Sequence, residues 1–257
     1  MSDETGRPDA APAPEGASRK LLATHAVLVG LTPLIPVPMV DDLVKSHLLR
    51  RMVRELAAGR GWQLSHEEVE ALTTERGGDG CLGGCLGQAL LYPFKKVFRK
   101  IFFFLEWKRA ADLTSRTYHH GYLIDHALAP RADGARLIER KTAAEVGAAI
   151  DAVCREAPVK PLESAVGATF RGSKNVLVGA AGILERALRR RGAPRPDPRA
   201  VAEAVESVEQ EEERQIEGVT RGLQGAVAEI PDEHFRALRY ALDARLGVVT
   251  PERRERL

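Results

Sequence analysis

The stretch Val40–Gly61, VDDLVKSHLLRRMVRELAAGRG, decides the fold class. Val40, Val44, Leu48, Met52 and Leu56 recur every four residues, and Leu43 and Val53 widen the stripe they make. That spacing places them on one face of a helix of 3.6 residues per turn, with polar side chains elsewhere. Asp41 and Asp42 fall in the first turn, where negative charge meets the positive end of the helix dipole. Gly59 and Gly61 supply the stop. The reading is an amphipathic helix entered after Pro38 and closed near residue 59.

The same period recurs to either side. Ser65 and Glu68 form a capping box for a short helix over 66–74. A long helical pattern runs from Gln88 towards Ala129, with Pro93 in its first turn and Gly121 as its expected weak point. Val146, Ala149, Ile150 and Val153 share one face of a helix over 142–156. Helical pattern resumes over 162–191, bent near Gly172. Beyond the linker GAPRPDP (192–198) come two more helices, one from Pro198 to about Ile230 and one from Pro231 to near Gly247. Neither a solenoid repeat nor the alternation of a strand is visible. The expectation is an all-α, multi-helix bundle of about seven to nine helices with no substantial sheet. Its expected organisation is a disordered tail (1–18), a main helical domain (19–191), a linker (192–198) and a C-terminal helical pair (199–257) packed on the main domain.

Composition narrows the class. The chain has 257 residues, 44% hydrophobic and 29% charged, the proportions of a globular protein. Its 38 basic and 36 acidic residues leave a net charge of +2, without the basic excess of a general nucleic-acid binder. Cys81, Cys85 and Cys154 are too few for a disulfide framework, so a reducing, cytoplasmic setting is expected. Leu21 to Val40 carries no Asp, Glu, Lys or Arg. However, Pro33, Pro36 and Pro38 end any helix near Thr32, leaving about 18 Å of helix, too short to span a bilayer. A buried core helix is the expectation there.

Residues 35–61 carry Ile35-Pro36-Val37-Pro38, then Asp41 and Asp42, Met52, and Ala57 four residues before Gly61. With the capping box at Ser65 and Glu68, this stretch resembles bacterial helical domains of the YcjF/EcsC group, which are of unknown function. The resemblance covers about a tenth of the chain. It implies helical packing and proximity to a membrane, and it transfers no catalytic residue. Lys45, Arg50, Arg51 and Arg54 stand where a membrane hairpin would be apolar.

The most distinctive segment is 88–109. Five of the seven phenylalanines lie between Phe94 and Phe104. At 100° per residue, Lys95, Lys96, Arg99 and Lys100 form one face, and Phe94, Val97, Phe98, Ile101, Phe104 and Leu105 form the opposite, core-facing one. Tyr92, Phe103 and Trp107 fall among the cations. Cations interleaved with aromatic rings suit an anionic membrane surface, or an acidic protein partner. The expected function is a non-enzymatic binding or scaffolding protein, peripheral on the inner membrane surface or bound to a partner through Tyr92, Lys95, Lys96, Arg99, Lys100, Phe103 and Trp107. No cofactor and no specific nucleic acid are expected; an oligomer built on the apolar faces of the C-terminal helices is compatible with the pattern.

Two alternatives carry chemistry. Cys81 and Cys85 have a loose zinc-ligand spacing that His119, His120 and His126 could complete, or those histidines could serve a hydrolytic site with Asp112, Arg116, Tyr122 and Asp125. The competing reading is a hydrogen-bonded network between helices, favoured because no nucleophile or cofactor motif accompanies the cluster. Gly167–Lys174, GATFRGSK, superficially suggests a phosphate loop. Ser173 precedes Lys174, the reverse of the required order, and the preceding residues read as helix.

Overall fold

The computed structural model describes residues 16–35, 40–74, 99–131, 134–157, 160–190 and 198–248. These form ten α-helices and one 3₁₀ turn, with no strand among the described residues. The helices are α1 (Gly16–Leu31), α2 (Val40–Gly59), α3 (His66–Thr73), α4 (Arg99–Leu128), α5 (Leu137–Arg140), α6 (Ala143–Glu156), α7 (Lys160–Gly172), α8 (Lys174–Arg190), α9 (Pro198–Ala228) and α10 (Asp232–Arg245). The 3₁₀ turn, Thr32–Leu34, follows α1 and carries Pro33 at its start. The all-α class holds. The count exceeds the expected seven to nine because the pattern over 162–191 breaks at Ser173 into two helices, and because α5 is a single turn too short to show a period.

Helix α1 is the central rod. Leu22, Ala23, Ala26, Val27, Leu28, Val29 and Leu31 are all buried, and α2, α4 and α9 pack around them. Uncharged residues on every side are what such a position requires. No helix among the described residues is long and apolar enough to cross a membrane. On α2 the stripe behaves as its spacing predicts: Val44, Leu48, Met52, Val53 and Leu56 are buried. Full burial of such side chains contributes roughly 1.5–3 kcal/mol each. The capping box at Ser65 forms, with the Ser65 side chain accepting from the Glu68 amide and Glu68 accepting from the Ser65 amide.

Close helix crossings depend on glycine. A methyl at Gly30 would stand 1.9 Å from Thr114 Oγ1 and 3.0 Å from the Ala110 carbonyl oxygen. One at Gly121 would stand 2.5 Å from Leu22 Cδ2. Residue 30 thus meets 110–114 while residue 22 meets 121, so α1 and α4 run antiparallel in near backbone contact. Gly121, expected as a weak point, lies inside an unbroken helix and marks this contact instead. Helix α9 buries Val201, Val205, Ile216, Val219 and Leu223 against α1, α7 and α8, and α10 packs on α4 and α6. One continuous hydrophobic cluster extends from Leu22 to Leu246.

Candidate functional site

The basic aromatic segment divides at the start of α4. Tyr92, Lys95 and Lys96 lie outside the described residues, as do Cys81 and Cys85. Arg99, Lys100 and Phe103 occupy the first turns of α4. Trp107 is half-buried, and its ring meets the edge of Phe170 on α7 at 5.7 Å between centroids. Leu105, expected in the core stripe, is 54% exposed. At these two positions the inward and outward sides are the reverse of the expected ones. A period shows which residues share a face; here α7 determines which face is inward, and its fully buried Phe170 draws Trp107 in.

Between α4 and α7 lies a groove enclosing a cavity of about 540 Å³. That size lies within the range of small-molecule sites. Trp107, Lys108, Ala111 and Asp112 line it from α4, and Glu163, Ser164, Gly167 and Arg171 from α7, with Lys174 at the start of α8. The spacings are those of two facing helix stripes: 107, 108, 111 and 112 on one, 163, 167 and 171 on the other. Ala111 and Gly167 keep its middle open; a methyl at Gly167 would approach nothing closer than an Arg171 nitrogen at 3.8 Å.

Asp112 and Glu163 line the same groove from opposite helices, close enough for Glu163 to act on the ionisation of Asp112. Burial, then the neighbouring Glu163, raise the Asp112 pKa to about 6, against the opposing charges of Lys108 and Arg116. Asp112 Oδ1 is buried and takes no hydrogen bond. Lys108, Arg171 and Lys174 are exposed, so the groove pairs an acidic centre with a basic rim and an indole wall. The sequence reading placed Asp112 with the histidines. It missed Glu163, whose alignment with Gly167 and Arg171 at four-residue steps was the available signal.

The histidine cluster does not converge. His119 Nε2 lies 3.0 Å from His234 Nε2 on α10. His120 Nε2 donates to the Leu72 carbonyl at 2.8 Å, at the end of α3. Asp243 on α10 holds His126 Nε2 at 3.0 Å and also accepts from Arg131. Arg60, just past α2, clasps Asp125 through two bonds of 2.9 and 2.7 Å, and Arg239 donates to the Tyr122 hydroxyl at 2.8 Å. Arg116 is exposed. The polar groups on the buried length of α4 thus find their partners on three neighbouring parts of the fold, α10, α3 and the turn after α2, the arrangement expected of a network between helices. Burial, then the neighbouring His234, lowers the His119 pKa to about 4, so the imidazole is neutral at pH 7. Among the described residues no group of three His, Cys, Asp or Glu side chains could hold a metal ion. No protein-family model matches the chain, and neither a curated protein nor a solved structure does.

Proposed function

We propose that this protein is a non-enzymatic helical module that attaches reversibly to an anionic membrane surface through the end of the bundle where α4 begins. The observation that carries this reading is the exposure of large apolar side chains on α4 and α8, two helices that also line the basic groove. Leu105, Val176 and Val178 are 54%, 41% and 45% exposed, the large hydrophobic residues so exposed among those described. Leu105 lies on α4 and Val176 and Val178 on α8, helices that also carry the groove cations Lys108 and Lys174. Aliphatic side chains that enter the headgroup boundary, beside cations that meet acidic lipids, are the two ingredients of interfacial binding. Tyr92, Lys95, Lys96, Arg99, Lys100 and Phe103 extend the same chemistry along the sequence. The partial likeness to the YcjF/EcsC group supports the same setting.

Each cation near an anionic leaflet contributes about 1 kcal/mol, so four give useful but reversible attachment. The test is flotation of the intact protein with phosphatidylserine-containing vesicles. At low salt the protein rises with them, and it does so neither with pure phosphatidylcholine vesicles nor at high salt, where surface charge is screened. Replacing Lys95, Lys96, Arg99 and Lys100 by Glu lowers binding about a hundredfold or more. Leu105→Ser with Val176→Ser weakens it without changing the charge. A protein that stays in the dense fraction at low salt overturns the reading.

A further inference from the structure

The groove between α4 and α7 is organised as more than a basic patch. An anionic surface needs only cations, yet here two acids line the same cavity as three cations. We propose that this groove is a binding site for a phosphoethanolamine group, with the ammonium on Asp112 and Glu163 and the phosphate on Arg171 and Lys174. The choice of a headgroup fragment rests on the membrane reading; the charge arrangement does not.

The chemistry selects the ligand in three steps. First, Asp112 and Glu163 line the groove together, a pair of carboxyl groups whose mutual repulsion a cation relieves. A primary ammonium has three N–H donors and can bond both acids, including the buried Asp112 Oδ1 that takes no bond otherwise. A quaternary ammonium has no N–H to offer. It is recognised by a cage of aromatic faces, and among the described residues Trp107 is the single aromatic side chain lining the cavity. Second, the rim offers a guanidinium and an ammonium on adjoining helices, Arg171 at the end of α7 and Lys174 at the start of α8. Arg pairs with phosphate oxygens in a bidentate manner and Lys adds a point charge. Third, the volume of about 540 Å³ is that of a small-molecule site. The charged groups around the acid pair are Lys108 and Arg116 on α4 itself, with Arg171 and Lys174 across the groove.

Titration calorimetry on the full chain with phosphoethanolamine, at pH 7.5 and low salt, tests the site without any membrane. Phosphoethanolamine binds, and phosphocholine and inorganic phosphate bind about tenfold more weakly, each lacking the N–H contacts. Asp112→Asn with Glu163→Gln removes most of that preference and leaves inorganic phosphate binding unchanged. Arg171→Ala with Lys174→Ala weakens both compounds. Phosphoethanolamine that binds no better than inorganic phosphate, or not at all at millimolar concentration, overturns the proposal. The ligand comparison uses the unaltered protein, so a misfolded variant cannot decide the outcome. A second arm adds phosphatidylethanolamine to phosphatidylserine vesicles. Tighter attachment assigns the lipid as the source of the group, and the free compound binding alone supports the site and assigns a soluble ligand. Failure of flotation with retained phosphoethanolamine binding removes the membrane reading and keeps the site; the converse removes the site alone.

Discussion

At the scale of single residues, the contacts that set this fold involve the smallest side chains. Gly147 on α6 faces α3 so closely that a methyl would stand 2.3 Å from the Ala71 carbonyl oxygen. That neighbour is backbone and cannot swing aside. Gly147→Ala is therefore expected to destabilise the protein by about 2 kcal/mol or more, despite the better helix propensity of Ala, because one helix must move bodily. Urea denaturation checks this, with Gly182→Ala as the control: no atom lies within 4 Å of a methyl there. Equal stability of the Gly147→Ala variant and the parent protein would refute the packing argument. Gly147 was read only as part of a helix, because a glycine at a crossing and a glycine of no consequence look alike in sequence.

At the scale of elements, α4 carries the polar seam. Its apolar positions Leu123, Ile124, Ala127 and Leu128 are buried, and so are His119, His120, Asp125 and His126. A helix enclosed on all sides needs a partner for each polar group, and the partners come from α2, α3 and α10. The seam has a pH signature. The His119 pKa is depressed to about 4 by burial, whereas the unfolded chain has the ordinary value near 6.5. Below 6.5 the unfolded state binds the proton first, so the stability contributed by neutral His119 is full above pH 6.5 and is lost as pH falls towards 4. The loss amounts to about 3 kcal/mol. The folding free energy measured by urea denaturation should fall across that window, and His119→Gln should flatten the slope. Identical slopes in both proteins would exclude His119 as the cause. The candidates for this seam were visible as a run of polar residues in a helical period. Their partners were not, since His234, Asp243 and Arg239 belong to α10, far along the chain.

At the scale of the whole molecule, the hydrophobic cluster makes one unit of the described helices. Expecting a main domain over 19–191 with a C-terminal pair laid upon it raises the question of whether the first part folds alone. Helix α9 supplies Val201, Val205, Ile216, Val219 and Leu223, each at most 2% exposed, to the same core as α1. Removing residues 198–257 uncovers one side of α1, whose stretch from Leu21 to Leu31 has no Asp, Glu, Lys or Arg with which to face water. The truncated chain is expected to aggregate or to lose its cooperative thermal transition, and the full chain to unfold in a single one, both followed by circular dichroism. A truncated protein that melts cooperatively would establish two independent domains. The proposed binding end lies at the opposite extreme of constraint. Its groove is held by α4 and α7, and its exposed Leu105 and Val176 contribute little to the core, which leaves them open to an interfacial role.

The sequence by itself determined the class and most element positions, because helical period, caps and prolines act within a few residues of each other. Val40–Gly61 suffices to show an amphipathic helix, Ser65 and Glu68 to start another, and Pro198 to open a third. The tertiary structure decided which face of each helix turns inward and which remote groups meet. Trp107 points towards Phe170 while Leu105 faces water, because α7 packs on one side of α4 and no local rule specifies that side. Asp112 meets Glu163 for the same reason. A period of 3.6 residues defines a face, but only the neighbouring helix makes that face a core, a seam or a groove.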